Sequence, residues 1–383
     1  MKRLLPAASA AATIFLVALC LRPAITAVGP LLPQISADVG LGEAAQGLLG
    51  ALPLLAFALV SPQVHRLSGR VGMERAVLLA LLVLAAATVA RSYTGTAGLW
   101  AGTVVIGCAI AVGNVLVPAI VKRDFAANVS RATGFYTAFI TIAASTASAV
   151  AVPIADAVDW RLSLAVWGVL ALVVALVWAP RARPAPVLEE SRPDTRKEVW
   201  RQPRAWLITA FMGLQSTCFY VLVTWLPTIE ISHGVSQRTA GLHLFLFQGM
   251  GILGGLAVPL LLRDPATRAL GAITASLPVV VATIGLLVVP GLTVLWAAIA
   301  GLGQGASLVA ALTLISFGGR TPSETTRLSG MAQSLGYLLA AAGPVAAGVL
   351  AERTGAWEAT LVMIIGLGLL QTAAGAAAGR KGS

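Results

Sequence analysis

A chain of 383 residues that is 58% hydrophobic and only 11% charged is too apolar for a soluble globular domain, and a mean hydropathy of +0.88 marks an integral membrane protein. The net charge of +11 does not point to nucleic acid, because the basic residues lack aromatic interleaving and fall between long apolar stretches. Nothing in the sequence reads as a catalytic or output domain, a metal-ligand cluster or a nucleophile paired with a base, which argues against an enzyme, a receptor or a cofactor.

The first apolar stretch, 4–33, follows Lys2 and Arg3 and contains Cys20, so it invites comparison with a secretory or lipoprotein signal. No small-residue cleavage pattern interrupts it, and Leu19 is too large to precede a lipidated cysteine. It reads as a first transmembrane helix. Further spans are predicted at 43–63, 75–92, 99–121, 131–155 and 161–180, then, beyond a charged linker at 181–204, at 205–229, 239–262, 269–289, 293–316, 328–351 and 357–378. The expectation is an all-α integral membrane protein of twelve transmembrane helices, with six-helix halves at 1–180 and 205–383. Cys20, Cys108 and Cys218 fall in separate spans, without metal or redox spacing.

With the loops alternating across the bilayer, 21 of the 26 Lys and Arg lie on the side of both termini and the linker. Only Arg91, Arg161, Arg238 and Arg353 lie opposite. The positive-inside rule predicts a multi-pass protein of the cell inner (plasma) membrane with both termini cytoplasmic. The halves also echo each other. Leu32-Pro33, Ile35, Gly40 and Gly47-Leu48 recur 194 residues later as Leu226-Pro227, Ile229, Gly234 and Gly241-Leu242. Leu99-Trp100-Ala101, Arg131 with Gly134, and Trp160 recur as Leu295-Trp296-Ala297, Arg327 with Gly330, and Trp357. Such an ordered series indicates parallel repeats related by an axis along the membrane normal. Gly251 with Gly255 and Gly301 with Gly305 allow close helix approach, and Trp100, Trp160, Trp206, Trp225, Trp296 and Trp357 near helix ends read as interfacial anchors.

One charge remains inside the first span. Arg22 sits near mid-depth with no acidic residue within helical reach, where an unpaired cation is costly unless it faces a cavity or protein interior. Two readings fit: a functional cation, or a structural one bonded to helix carbonyls. The equivalent position in the second half is Ser216, so the charge belongs to one half only. All 15 acidic residues fall in loops or at helix ends, leaving Arg22 no obvious carboxylate partner.

Twelve helices in two parallel halves with a basic central linker resemble the major facilitator superfamily. Leu67, Gly69, Arg70, Gly72 and Arg75 resemble its gating motif between helices two and three, with Gly69 where that motif normally has an aspartate. Leu21-Arg22-Pro23, Gly29-Pro30-Leu31-Leu32-Pro33, Ile120-Val121-Lys122-Arg123, Pro203-Arg204-Ala205-Trp206 and Trp225-Leu226-Pro227 together resemble its cyanate and nitroimidazole transporter branch. The resemblance implies a transporter in which helices one, four, seven and ten, with help from two, five, eight and eleven, line a cavity between the halves.

Arg22 leads the candidates there, because its fork of donors suits carboxylate, nitro or cyanate-like acceptors. Thr26 lies one turn further on. Asn114, Gln215, Thr217, Gln248 and Gln304 can orient a polar solute or bond between helices. Tyr136, Tyr220 and Tyr337 add hydroxyls, and Gln333 matches a glutamine of the family pattern in helix eleven. The superfamily often couples transport to protons through membrane carboxylates; here His243 is the ionisable alternative at depth. The predicted function is movement of a small anionic or strongly polar solute by alternating access around Arg22, with efflux of neutral or aromatic antimicrobials such as nitroheterocycles as the alternative. The partners expected are that solute, the lipid bilayer and a proton or counter-transported ion, for a monomer.

Overall fold

A computed structural model of the chain describes residues 7–125, 129–182, 199–262, 266–319 and 322–380. The expected linker falls largely on 183–198, outside the described residues. Among the described residues, eleven helices are long and apolar enough to cross a membrane, and a first span broken at a 41° bend makes twelve. Helical structure is what this composition demands, since backbone groups within a bilayer core must be satisfied internally. Helix one comprises Ala7–Cys20, Pro23–Thr26 and Val28–Val39. Helices two to six are Glu43–Val60, Met73–Tyr93, Gly95–Asp124, Val129–Ala157 and Trp160–Trp178. Helices seven to twelve are Pro203–Ser232, Gln237–Ala257, Arg268–Val288, Thr293–Gly318, Pro322–Thr354 and Glu358–Gly379.

The fold agrees with the expectation, while several helix limits differ for identifiable reasons. Helix one is not one continuous rod. The spans expected to end at 33 and 229 run on to Val39 and Ser232 with Pro33 and Pro227 inside the helices, because packed neighbours in a bundle compensate for the bond a proline removes. Helix eight is shorter than expected: it stops at Ala257, and Pro259–Leu262 forms a separate turn. Trp225 is no interfacial anchor; it is buried, donates to Pro344 O at 2.9 Å and lies against Trp357 at 4.8 Å.

We call the end of the bundle holding the termini the near end and its opposite the far end. Small residues set how the halves meet toward the far end. A Cβ on Gly29 would stand 2.4 Å from Val223 O, so helices one and seven cross almost backbone to backbone, at equivalent positions of the repeat. Gly47 of helix two meets Pro344 O of helix eleven at 2.2 Å by the same measure, and Gly241 of helix eight meets Ser148 O of helix five at 3.0 Å. Gly241 is the repeat mate of Gly47, and Pro344 of Ser148. The two cross-half contacts are thus twofold mates. Gln237 to Pro30 O (2.8 Å), Ala44 N to Glu352 (3.1 Å) and Arg238 to Asp156 (3.0 Å) hold the same end shut.

Candidate functional site

The site begins with the break in helix one. Pro23 has no N–H to continue the preceding helix, and its ring pushes the residue before it out of helical geometry, so Arg22 adopts φ −130° and ψ −34° as the cap of a single turn. Pro30 likewise cannot bond Thr26 O. A shell of polar side chains takes up the freed carbonyls. Ser148 Oγ donates to Thr26 O at 3.3 Å, Arg91 Nη1 to Ala24 O at 2.8 Å, and Thr26 Oγ1 to Ala144 O of helix five at 3.1 Å. Gln248 Nε2, from the other half, donates to Ser148 Oγ at 2.7 Å and Ala144 O at 3.3 Å.

Two expectations change here. Arg91, assigned to a far-side loop, is only 2% exposed and braces the break from the last turn of helix three. Thr26 and Gln248 spend their hydrogen bonds on the same brace.

Arg22 itself is half-buried and turned toward the other half. Its Nη1 donates to Tyr220 OH at 2.7 Å, and its Cζ lies 5.9 Å from the centre of the Phe57 ring. Tyr337 packs edge-on against Phe57 at 5.6 Å, and both Tyr337 and Tyr136 are within electrostatic reach of the guanidinium. Three of the chain's four tyrosines therefore gather around one arginine. Among the described residues no carboxylate lies within 4.0 Å of it. A Cβ on Gly113 would meet Leu21 at 2.5 Å, so helix four runs close beside the break and brings Asn114, half-buried and without a hydrogen-bond partner among the described residues, to the same depth. Beyond Tyr220 toward the far end, the crevice lined by Ile25, Gly29, Gly50 and Thr224 holds about 10 Å³, room for one water. The site is therefore cut off from that side.

Other expected residues make no hydrogen bond to Arg22. Gln215 donates to Ser216 Oγ at 2.7 Å and Thr217 to Gly213 O at 2.8 Å, both within helix seven. Gln333 donates to Ser329 Oγ at 2.9 Å. Gln304 is buried with neither amide atom partnered among the described residues. In the connection after helix two, Gly69 is open on its Cβ side, Arg70 is exposed, Gly72 takes φ +87° to turn the chain, and Arg75 Nε donates to Ala182 O at 3.2 Å. With no aspartate at Gly69, near-end charges are organised around Glu74, which pairs with Arg123 at 2.6 Å, and Asp124, which pairs with Arg123 and Arg181; together they tie helices three, four and six.

Sequence reasoning missed Phe57, whose place on helix two was legible. It also missed Glu230. Placed beyond the end of helix seven by the sequence, Glu230 is instead inside the last turn, 0% exposed, with Oε2 2.9 Å from His243 Nδ1. The expectation that acidic residues fall in loops or at helix ends holds for its position, but the protein encloses Glu230.

Comparison with known proteins agrees with this architecture. The model of the Major Facilitator Superfamily matches residues 14–344. The chain is 38% identical to the 2-nitroimidazole transporter of Escherichia coli (strain K12), over 96% of this chain and 95% of that protein. It is 27% identical to the Cyanate transport protein CynX of the same organism, over 92% and 93%. A solved structure of a bacterial homolog to the human lysosomal transporter Spinster superposes with a TM-score of 0.82 over 98% of both chains at 16% identity, a likeness of fold. The chain belongs to the Major Facilitator Superfamily and is a multi-pass membrane transporter of a small solute, not an enzyme.

Proposed function

We propose that the chain moves a small anionic or strongly polar solute by alternating access, the solute's acceptor atoms meeting the Arg22 fork between the halves 1–180 and 205–383. The observation that carries this reading is a half-buried guanidinium near mid-depth with a neutral hydroxyl partner and no carboxylate. Such a cation attracts an anion strongly, since little water competes at that depth. Asn114, Tyr136, Tyr220 and Tyr337 surround the solute with further hydrogen-bonding groups. The protein works as a monomer in the cell inner membrane, and the 21-to-four distribution of basic residues supports placing both termini in the cytoplasm. The near end is then cytoplasmic, and the closed far end faces outward.

A second reading is efflux of a nitroheterocycle, favoured by the aromatic faces of Phe57 and Tyr337 beside Arg22 and by the relative named a 2-nitroimidazole transporter. Calorimetry of the purified protein separates the two. The anion reading expects binding of benzoate and cyanate that weakens with added salt, with benzamide ignored. Binding of 2-nitroimidazole alone, insensitive to salt, selects the second. For topology, tags at residue 190 and in the 232–236 loop should report opposite sides of the membrane, the former cytoplasmic; a shared side would remove the twelve-span orientation.

A further inference from the structure

Arg91 is a second cation at the break of helix one, and holding the turn there does not by itself need a charge. Its side chain leaves helix three beside Gly102 of helix four, where a Cβ would stand 2.7 Å from Arg91 Cβ. Nη1 donates to Ala24 O at 2.8 Å, while Nε and Nη2 are buried without a partner among the described residues. No carboxylate lies within 4.0 Å of it among those residues. Asp38, Asp156 and Glu230, at the same end, are engaged by Arg161, Arg238 and His243.

A guanidinium cannot give up its proton in a protein, so this charge stays. Enclosing a cation without a counter-charge is costly. A single N–H donated to a single carbonyl is a bond that a neutral amide also makes. What the arginine adds is the positive charge itself.

The charge stands close behind the candidate site. Ala24 belongs to the turn Pro23–Thr26, which Arg22 caps. Arg22 leaves that turn toward Tyr220 of the other half, and Arg91 reaches it from helix three of its own half. One helical turn, about 10–12 Å across with its side chains, therefore separates the two cations. Leu21, Ala24, Ile25 and Thr26 are buried, so little water screens one from the other. The second half has neither charge: Ser216 holds the place of Arg22, and helix nine, the mate of helix three, has no basic residue after Arg268.

We propose that Arg91 is the second positive charge of the solute site, a specificity-determining residue that never touches the solute. It raises the potential at Arg22 and so favours anions over neutral and cationic solutes. At an effective dielectric constant of about 20, a unit charge about 10 Å away strengthens binding of a monovalent anion by about tenfold and leaves a neutral solute unaffected. The consequence for a solute rests on the anion reading at Arg22; the potential itself does not.

The first measurement therefore uses no solute. In the full chain with Cys20, Cys108 and Cys218 replaced by alanine, Asn114→Cys places a thiol beside the break. Methanethiosulfonate reagents carrying a sulfonate or a trimethylammonium group then report the potential as a ratio of labelling rates. The ratio of anionic to cationic rates should fall by about tenfold in Arg91→Gln, which keeps a donor and loses the charge, and stay near the parent value in Arg91→Lys. Arg91→Met, neutral and of similar length, repeats the test if Arg91→Gln does not fold. Calorimetry follows: benzoate affinity should drop by about tenfold in Arg91→Gln and be kept in Arg91→Lys, with 2-nitroimidazole unchanged by either. A rate ratio that ignores Arg91→Gln, or that falls equally in Arg91→Lys, overturns the second charge and leaves Arg91 as a brace alone. A ratio that responds as expected in a protein that binds no benzoate supports the potential and removes the anion reading at Arg22.

Discussion

Helix one and helix seven hold equivalent places in the two halves, yet one is broken and the other runs unbroken from Pro203 to Ser232. Helix one is interrupted at Leu21–Arg22 and again at Ala27, where the 41° bend lies. Where the first half has Arg22-Pro23 and Pro30, the second has Ser216-Thr217 and Thr224, and both threonines keep the backbone N–H that the prolines lack. The repeat supplies a common frame and each half adds its own charge. A fixed cation stands at the break in the first half, and a hydrogen-bonded Glu230–His243 pair at the far end of the second, where the repeat mates are Ser36 and Leu49. Duplication gave the protein two equal levers; divergence at a few positions made them unlike in chemistry.

The comparison can be broken first at helix seven. Thr217→Pro would place the break of helix one into a helix with no brace for the freed carbonyl, at about 3 kcal/mol or more. Thermal unfolding of the purified protein should show a large loss of stability. The twofold-related glycines come next. Gly47→Ala drives a methyl into the Pro344 carbonyl, whereas Gly241→Ala meets Ser148 O at the edge of tolerance. Overpacking of about 1–3 kcal/mol should therefore open the far end in Gly47→Ala, read as faster labelling of a far-end cysteine, with a much smaller change in Gly241→Ala. Equal effects would show the two crossings to be equally tight.

Smaller effects sharpen the picture. Pro23→Thr gives helix one the sequence of its mate at that position; the protein should stay folded while solute affinity drops, because a continuous helix turns Arg22 away from Tyr220. Tyr220→Phe removes one hydrogen bond and should weaken binding by about two- to tenfold, on the basis of about 0.5–1.5 kcal/mol per bond.

Most of the fold was legible from hydropathy, since each span is long and apolar and most are bounded by charge. The break at Arg22 was hinted at by Pro23 and Pro30, but a proline alone does not say whether a membrane helix bends, runs on or stops. Pro33 and Pro227 illustrate the point, for both lie inside helices. Arg22 was legible as a charge with nowhere to go, and its tyrosines as hydroxyls on cavity-facing helices. The brace was not: Thr26, Arg91, Ser148 and Gln248 meet only once three helices from one half and one from the other have packed. Glu230 was misread for a related reason. Its distance from the helix end resembles that of a surface residue, and its burial is decided by the neighbours of helix seven.

The central claim is that Arg22 holds the solute rather than the helix, and calorimetric affinity measured beside the stability of the solute-free protein tests it directly. Arg22→Lys keeps the charge and loses the fork, so affinity for the bound anion should fall by about tenfold to a hundredfold, and further in Arg22→Ala, as expected for losing a charged hydrogen bond of about 1.5–3 kcal/mol. The melting temperature should change little, because Arg91 and Ser148 brace the break. Unchanged affinity in a stably folded Arg22→Ala protein would contradict the account.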